Sequence, residues 1–232
     1  MAHLGQQDPK ILAFDTSAAH ISVALIGPGV FIDRTLDMAR GQAERLMGVL
    51  DDVLSEGSCS YADLNAVGVG IGPGNFTGIR ISVAAARGLA LSLGIPAIGV
   101  STFETMLETK HADGQADVLV SLRAPRDQTY VQRFRGNNAI GAPRLIDPAD
   151  APDDLDLGPD ITVRGFMACD IAQRFGARAE ESLPQQVATR IAQIAAQKLV
   201  APGFDAAARP APLYVRAPDA APPRDAAPVI LG

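Results

Sequence analysis

The stretch GIGPGNFTGIR, Gly70 to Arg80, decides the fold. It carries four glycines and a proline in eleven residues, between an apolar run from Ala66 to Gly70 and a longer one from Ile79 to Leu93. A strand, a glycine turn and a helix can present backbone N–H groups to a phosphate. The string is not a P-loop, which needs a lysine, because no lysine lies between Lys10 and Lys110. Nor is it a dinucleotide fingerprint. Gly72 and Gly74 supply the first two glycines, but Thr77 takes the third position and no acidic residue follows at the required distance. Two readings stay open: an anion site at the helix N-terminus, or glycines that permit a tight turn and close helix–sheet packing.

The helix that follows has almost no polar face. Ile79, Ile81, Val83, Ala84, Ala85, Ala86, Leu89, Ala90, Leu91 and Leu93 surround it. Such a helix must be covered on all sides. Gly78, Ser82, Ala86 and Ala90 make a smooth ridge at four-residue spacing, and Arg80 and Arg87 share a face with Ala84 and Leu91. An apolar face with two arginines suits a protein interface. Periodicity alone does not decide between such an interface and burial within the same domain.

Upstream, KILAFDTS reads as a strand ending at Asp15, and ISVALIGPGVFIDRTL as a hairpin around Gly27-Pro28-Gly29. A helix is expected from about Gly41 to Glu56, with Leu46, Leu50, Val53 and Leu54 on its apolar stripe. NAVGVGI is continuous and apolar, as in a strand buried on both faces. PAIGV predicts a fifth strand and STFETMLETK a third helix, giving β-β-β-α-β-α-β-α. Beyond a composition shift near 112–115, ADVLVSL and QTYVQRF predict a hairpin across RAPRD. DITVRG predicts a strand, and MACDIAQRF and PQQVATRIAQIAAQKLV predict helices. The expected division is a flexible start at 1–9, a first lobe at 10–110, a second at 111–200, and a Pro/Ala-rich extended segment at 201–232.

The bulk numbers exclude several classes. The chain has 232 residues, 47% of them hydrophobic, enough for one large domain or two lobes. No run of eighteen apolar residues predicts a membrane span. The polar start MAHLGQQDPK and two distant cysteines, Cys59 and Cys169, predict a cytoplasmic protein with reduced thiols. A net charge of −6 argues against a broad nucleic-acid surface. His3, His20 and His111 form no ligand pair, so no metal site is expected.

The motifs ILAFDTS, GVGIGPGNFTGIRISVAAARGLAL, IPAIGVSTFETM and the late PLYVR at Pro212–Arg216 carry a resemblance. The chain resembles the actin-like/Hsp70-like ATPase superfamily and, more closely, the bacterial TsaB (YeaZ) family, which has also been labelled glycoprotease family M22. The strong match covers about residues 10–107. The resemblance implies an α/β, two-lobed actin-like (ASKHA, ribonuclease H-like) fold. Its N-terminal lobe would hold a mixed five-stranded sheet, and its C-terminal lobe would be smaller and variant. It implies a non-catalytic paralogue of the transferase TsaD. Such a subunit binds TsaD, with the ATPase TsaE joining, in making N6-threonylcarbamoyladenosine in tRNAs that read codons starting with A. It also implies homodimers when alone, indirect contact with tRNA, and no membrane; direct contact with tRNA through Arg123, Arg126, Arg133 and Arg135 stays open beside the reading of a solvated hairpin. Under it, Leu46, Val49, Leu50, Arg80, Val83, Ala84 and Arg87 are the expected partner interface. Asp15, Gly72, Gly74, Thr77 and Gly78 become a degenerate phosphate loop, with ATP possible only at the joint interface of the complex. Thr102 and Met106 stand where TsaD has a His-x-x-x-His metal motif, and neither suits a divalent cation. In SLRAPRDQTY, Arg123 replaces the family's aspartate and Asp127 its glycine. An ATP-dependent phosphotransferase or ATPase using Asp15 is the competing reading. A peptidase lacks any Ser/His/Asp constellation legible in the sequence.

Overall fold

The computed structural model describes residues 8–107 and 117–216. His3, His111, the expected lobe boundary and the end of the Pro/Ala-rich tail lie outside these residues.

The first sheet is built from β1 (Ile11–Asp15), β2 (His20–Gly27), β3 (Val30–Asp37), β4 (Ala66–Gly70) and β5 (Ala97–Val100), in the order β3-β2-β1-β4-β5. β1, β2 and β3 are antiparallel, whereas β1-β4 and β4-β5 are parallel. Alternation along β1 sets the layers. Leu12 and Phe14 face α1 (Gln42–Glu56) and α2 (Phe76–Leu93). Ile11 and Ala13 face α5 (Val187–Val200). All five residues of β1 and of β4 are buried, because helices cover both faces. A short α3 (Thr102–Thr105) follows β5. It is a single turn, shorter than STFETMLETK predicts, and a reciprocal Ser101–Glu104 capping box closes it.

The second sheet repeats the plan. β6 (Asp117–Arg123), β7 (Thr129–Arg135), β8 (Asn138–Ile146), β9 (Thr162–Gly165) and β10 (Arg178–Glu181) lie in the order β10-β9-β6-β7-β8. Read from β6, this is the first lobe's topology with the same mixture of antiparallel and parallel pairs. α4 (Ala168–Phe175) joins β9 to β10. The two-lobed actin-like reading is thereby met. Two strands escape sequence pattern. β8 contains Gly141 and Pro143, which suit only an edge strand. β10, Arg-Ala-Glu-Glu, is exposed throughout and owes its form to pairing with β9. α5 falls inside the span expected as the second lobe, yet packs on the first sheet through Ala188, Ile191, Ala192 and Ala195. At Gly68 of β4, an added Cβ would lie 3.2 Å from both Ala195 and Ile191, so the small residue sets this close approach.

α2 is the one helix among the described residues that is long and apolar enough to cross a membrane by length and composition. Here its buried stripe, Ile79, Ser82, Val83, Ala86 and Ala90, packs inside the first lobe.

Candidate functional site

Two surfaces concentrate the sequence-predicted residues: the cleft between the lobes and the outer face of α2.

The cleft has a volume of about 670 Å³. Asp15, Ser17, His20, Gly74 and Asn75 line it from the first lobe, and Leu122, Arg123, Tyr130 and Phe166 from the second. Asp15 Oδ1 accepts from the Ser17 backbone N at 2.9 Å and from Ser17 Oγ at 2.8 Å, closing the turn after β1. His20 Nε2 lies 3.2 Å from the same oxygen. Sequence reading missed this proximity, for which the i, i+2, i+5 spacing was the only signal. The three residue types of a serine protease thus meet, but Ser17 and His20 both bond to Asp15. The nucleophile–base hydrogen bond that acyl transfer needs is not among them.

The glycine loop is pressed onto Thr16 and Ser17. A Cβ at Gly78 would stand 1.9 Å from the Thr16 carbonyl oxygen, and one at Gly74 2.5 Å from that of Ser17. Gly72 has φ of +90° and faces the Ile79 side chain. The Asn75 N–H donates to Ser17 O at 2.6 Å, and the Gly78 N–H to the Asn75 side chain, the N-cap of α2, at 2.9 Å. Thr16 Oγ1 donates to Gly78 O at 2.6 Å. Two amides that would cradle a phosphate are therefore engaged within the chain. Thr77 is exposed in the first turn.

Across the cleft, the β6–β7 turn holds Arg126 at φ +62° and Asp127 at φ +57°. Both lie in the left-handed region that favours glycine, and Asp127 places a carboxylate there. The Arg123 guanidinium stands 5.2 Å from the Phe166 ring centre. Among the described residues, Asp15 is the only acidic one lining the cleft. One carboxylate would hold a magnesium ion only together with waters and phosphate oxygens, and the amides of Asn75 and Gly78, which would cradle that phosphate, are engaged within the chain. Thr102 donates to Pro73 O at 3.3 Å, and Met106 is buried in the core cluster of the second lobe. Among the described residues, no three His, Cys, Asp or Glu side chains are grouped to hold a metal.

On the outer face, the expected interface residues divide. Leu46, Val49, Leu50 and Val83 are at most 3% exposed and belong to the chain's own core. They have no surface to offer another protein, so their place in the expected interface is corrected. The apolar period of α1 marks its face toward the sheet, where Leu46, Val49 and Leu50 lie, and Val83 falls in the row of α2 that packs inside the lobe. Arg80, Ala84 and Arg87 are exposed, and with Leu91, 80% exposed, they form a stripe at i, i+4, i+7, i+11. Gly88 on this helix and Gly48 on α1 are also exposed, and an added Cβ at either would meet nothing within 4 Å. On α1, Met47 is 41% exposed.

The arginines on β7 are paired within the second lobe. Arg133 donates to Asp117 at 2.9 Å and Arg135 at 2.8 and 3.0 Å. Hydrogen bonding from Arg135, supported by Arg133, lowers the Asp117 carboxyl to about 2.

Comparison with known proteins follows the same lines. A family model described as TsaD, tRNA N6-adenosine threonylcarbamoyltransferase, matches residues 36–155. The chain is 36% identical over 133 residues to the tRNA threonylcarbamoyladenosine biosynthesis protein TsaB of Escherichia coli (strain K12). That match covers 56% of this chain and 58% of the relative, so the chain spans less than two thirds of that protein's length. An uncharacterized protein of Mycobacterium tuberculosis (strain H37Rv) is 32% identical over 222 residues, covering 93% of this chain and 96% of its own. Among solved structures, an uncharacterized Pseudomonas aeruginosa protein with similarity to peptidase YEAZ superposes with a TM-score of 0.69 at 25% identity, covering 90% of this chain and 100% of that one.

Proposed function

The chain belongs to the TsaB (YeaZ) family, and from that premise we propose that it is a non-catalytic subunit for making N6-threonylcarbamoyladenosine in tRNA. It acts in the cytoplasm, binding a TsaD-like transferase through the outer faces of α1 and α2, with a TsaE-like ATPase joining. Contact with tRNA goes through the partner, and in its absence a second copy of the chain takes the same face.

The observation that carries this reading is the exposed stripe Arg80, Ala84, Arg87 and Leu91. A leucine 80% exposed beside two arginines is the composition of an interface core. Gly48 and Gly88 support it. A mid-helix glycine costs about 0.5–1 kcal/mol relative to alanine. Among the described residues nothing approaches either one closely enough to require it, whereas the backbone of a partner helix would. Two helices packed on two would bury on the order of 1,600 Å² in all.

The test is titration of the chain with the TsaD-like protein of its own organism, with the mass of the complex read by size exclusion. A one-to-one complex is expected. Ala84→Glu should abolish it while leaving the thermal midpoint of the free chain within about 2 °C, because an exposed site carries little stability. Normal binding by this variant would show that the docking face lies elsewhere.

A nucleotide-using enzyme has one specific observation in its favour. Asp15 Oδ2 is buried without a hydrogen-bond partner beside the glycine loop. That reading requires micromolar binding of ATP by the chain alone. The subunit reading requires none, and calorimetry separates them.

A further inference from the structure

The late motif PLYVR has no role in the function argued so far. It forms a strap over the exit of β4. The Leu213 N–H donates to Ile71 O at 2.8 Å, and Leu213 and Val215 pack against the second lobe's core beside Phe103 and Val118. The residue between them points the other way. Tyr214 lies with its ring centre 4.7 Å from that of Phe76, at an interplanar angle of 31°. Its hydroxyl accepts a 2.9 Å hydrogen bond from Arg80 Nε. The Arg80 guanidinium in turn stands 3.8 Å from the Phe76 ring centre and 5.9 Å from that of Tyr214.

Arg80 is thus fixed at three points on the outer face of α2. Its Nε–H is satisfied and one face of its plane is covered by an aromatic ring. Among the described residues it has no salt bridge, so the terminal nitrogens keep a free pair of donors. A planar fork with its stem immobilised binds a carboxylate in two-point fashion and loses little entropy in doing so.

We propose that Tyr214 is a positioning residue for docking: it holds Arg80 so that the guanidinium fork receives a carboxylate of the partner protein. The inference rests on α2 being the docking face. It adds that the C-terminal strap, anchored in the second lobe, determines how the key cation of that face is presented.

Tyr214→Phe keeps the ring and removes only the acceptor for Arg80 Nε. In the full chain, its affinity for the TsaD-like partner should fall roughly tenfold or more, the range for one lost hydrogen bond to a charged group. Arg80→Ala should weaken binding further, and the double variant should match Arg80→Ala within about twofold, because both changes remove one device. Wild-type affinity for Tyr214→Phe, or losses that multiply in the double variant, would overturn the inference. Ala84→Glu separates the premises: if it fails to disturb binding, the face is wrong, and if it abolishes binding while Tyr214→Phe is neutral, only the strap's role is wrong. A partner-free readout stands beside these. The Arg80 Nε–H resonance of the free chain should exchange with water faster in Tyr214→Phe, and an unchanged rate would refute the contact itself.

Discussion

At the scale of single residues, two glycines on one helix predict opposite outcomes for the same substitution. Gly78 begins α2 against the end of β1, where a Cβ would fall 1.9 Å from the Thr16 carbonyl oxygen. That neighbour is backbone and also accepts a Gln42 hydrogen bond, so it cannot swing aside. Gly78→Ala should destabilise by about 3 kcal/mol, the upper range for overpacking. Gly88 faces open space. Gly88→Ala should stabilise the free chain by about 0.5–1 kcal/mol, yet weaken the complex if a partner helix approaches there. Denaturant unfolding of the two variants, with one partner titration, checks all three signs. The string that holds Gly78 was legible as a strand–turn–helix from its glycines and the apolar runs on either side. That its glycines meet the chain's own Thr16 and Ser17 was not, because those residues lie some sixty positions upstream and no local pattern links them.

At the scale of elements, α2 shows what periodicity can and cannot reveal. Its apolar residues surround the axis, so sequence could not say which stripe faces outward. The structure separates a buried row ending at Ala90 from an exposed row ending at Leu91. Short runs rich in apolar and β-branched residues made β1, β6 and β7 legible, whereas β10 has no apolar residue except Ala179 and exists through its pairing with β9. The β6–β7 hairpin yields an electrostatic prediction. Arg133 and Arg135 on β7 both hold Asp117 at the start of β6. The Asp117 carboxyl is lowered to about 2, first by the Arg135 hydrogen bond, against about 3.9 in an unfolded chain. A depressed carboxylate adds stability that is fully present above the unfolded value and is lost as pH falls through the folded one. The urea midpoint of the wild-type chain should therefore drop more steeply between pH 4 and pH 2 than that of Asp117→Asn, which begins lower at pH 7. Parallel curves would mean that the triad contributes nothing to folding.

At the scale of the whole molecule, two copies of one topology must be joined, and two arginines make the joint. α5 returns from the second lobe to the first sheet, and from it Arg190 donates to the carbonyls of Thr105, at 3.3 Å, and of Leu107. From β9 of the second lobe, Arg164 reaches the intervening carbonyl of Met106 at 3.4 Å and is paired with Glu180. Three successive carbonyls at the end of α3 are thus held from both lobes. Nearby, Lys198 of α5 pairs with Glu104 at 2.6 Å and donates to Gly99 O. Burial pushes the Arg190 guanidinium down from its ordinary value, but an arginine stays charged in a protein, and its fork suits two acceptors at once. Arg190→Ala should leave two carbonyls short of a donor and lower stability by about 1–3 kcal/mol. It should also speed amide exchange of Met106 and Leu107, which close the α3 turn onto Phe103 and Glu104. Arg190→Lys, with a single point of charge, should recover only part of either quantity. If Arg190→Ala lost stability with no change of exchange at 106 and 107, the arginine would act through packing on α5 alone, and the two lobes would owe their fixed arrangement to Arg164 and the apolar strap.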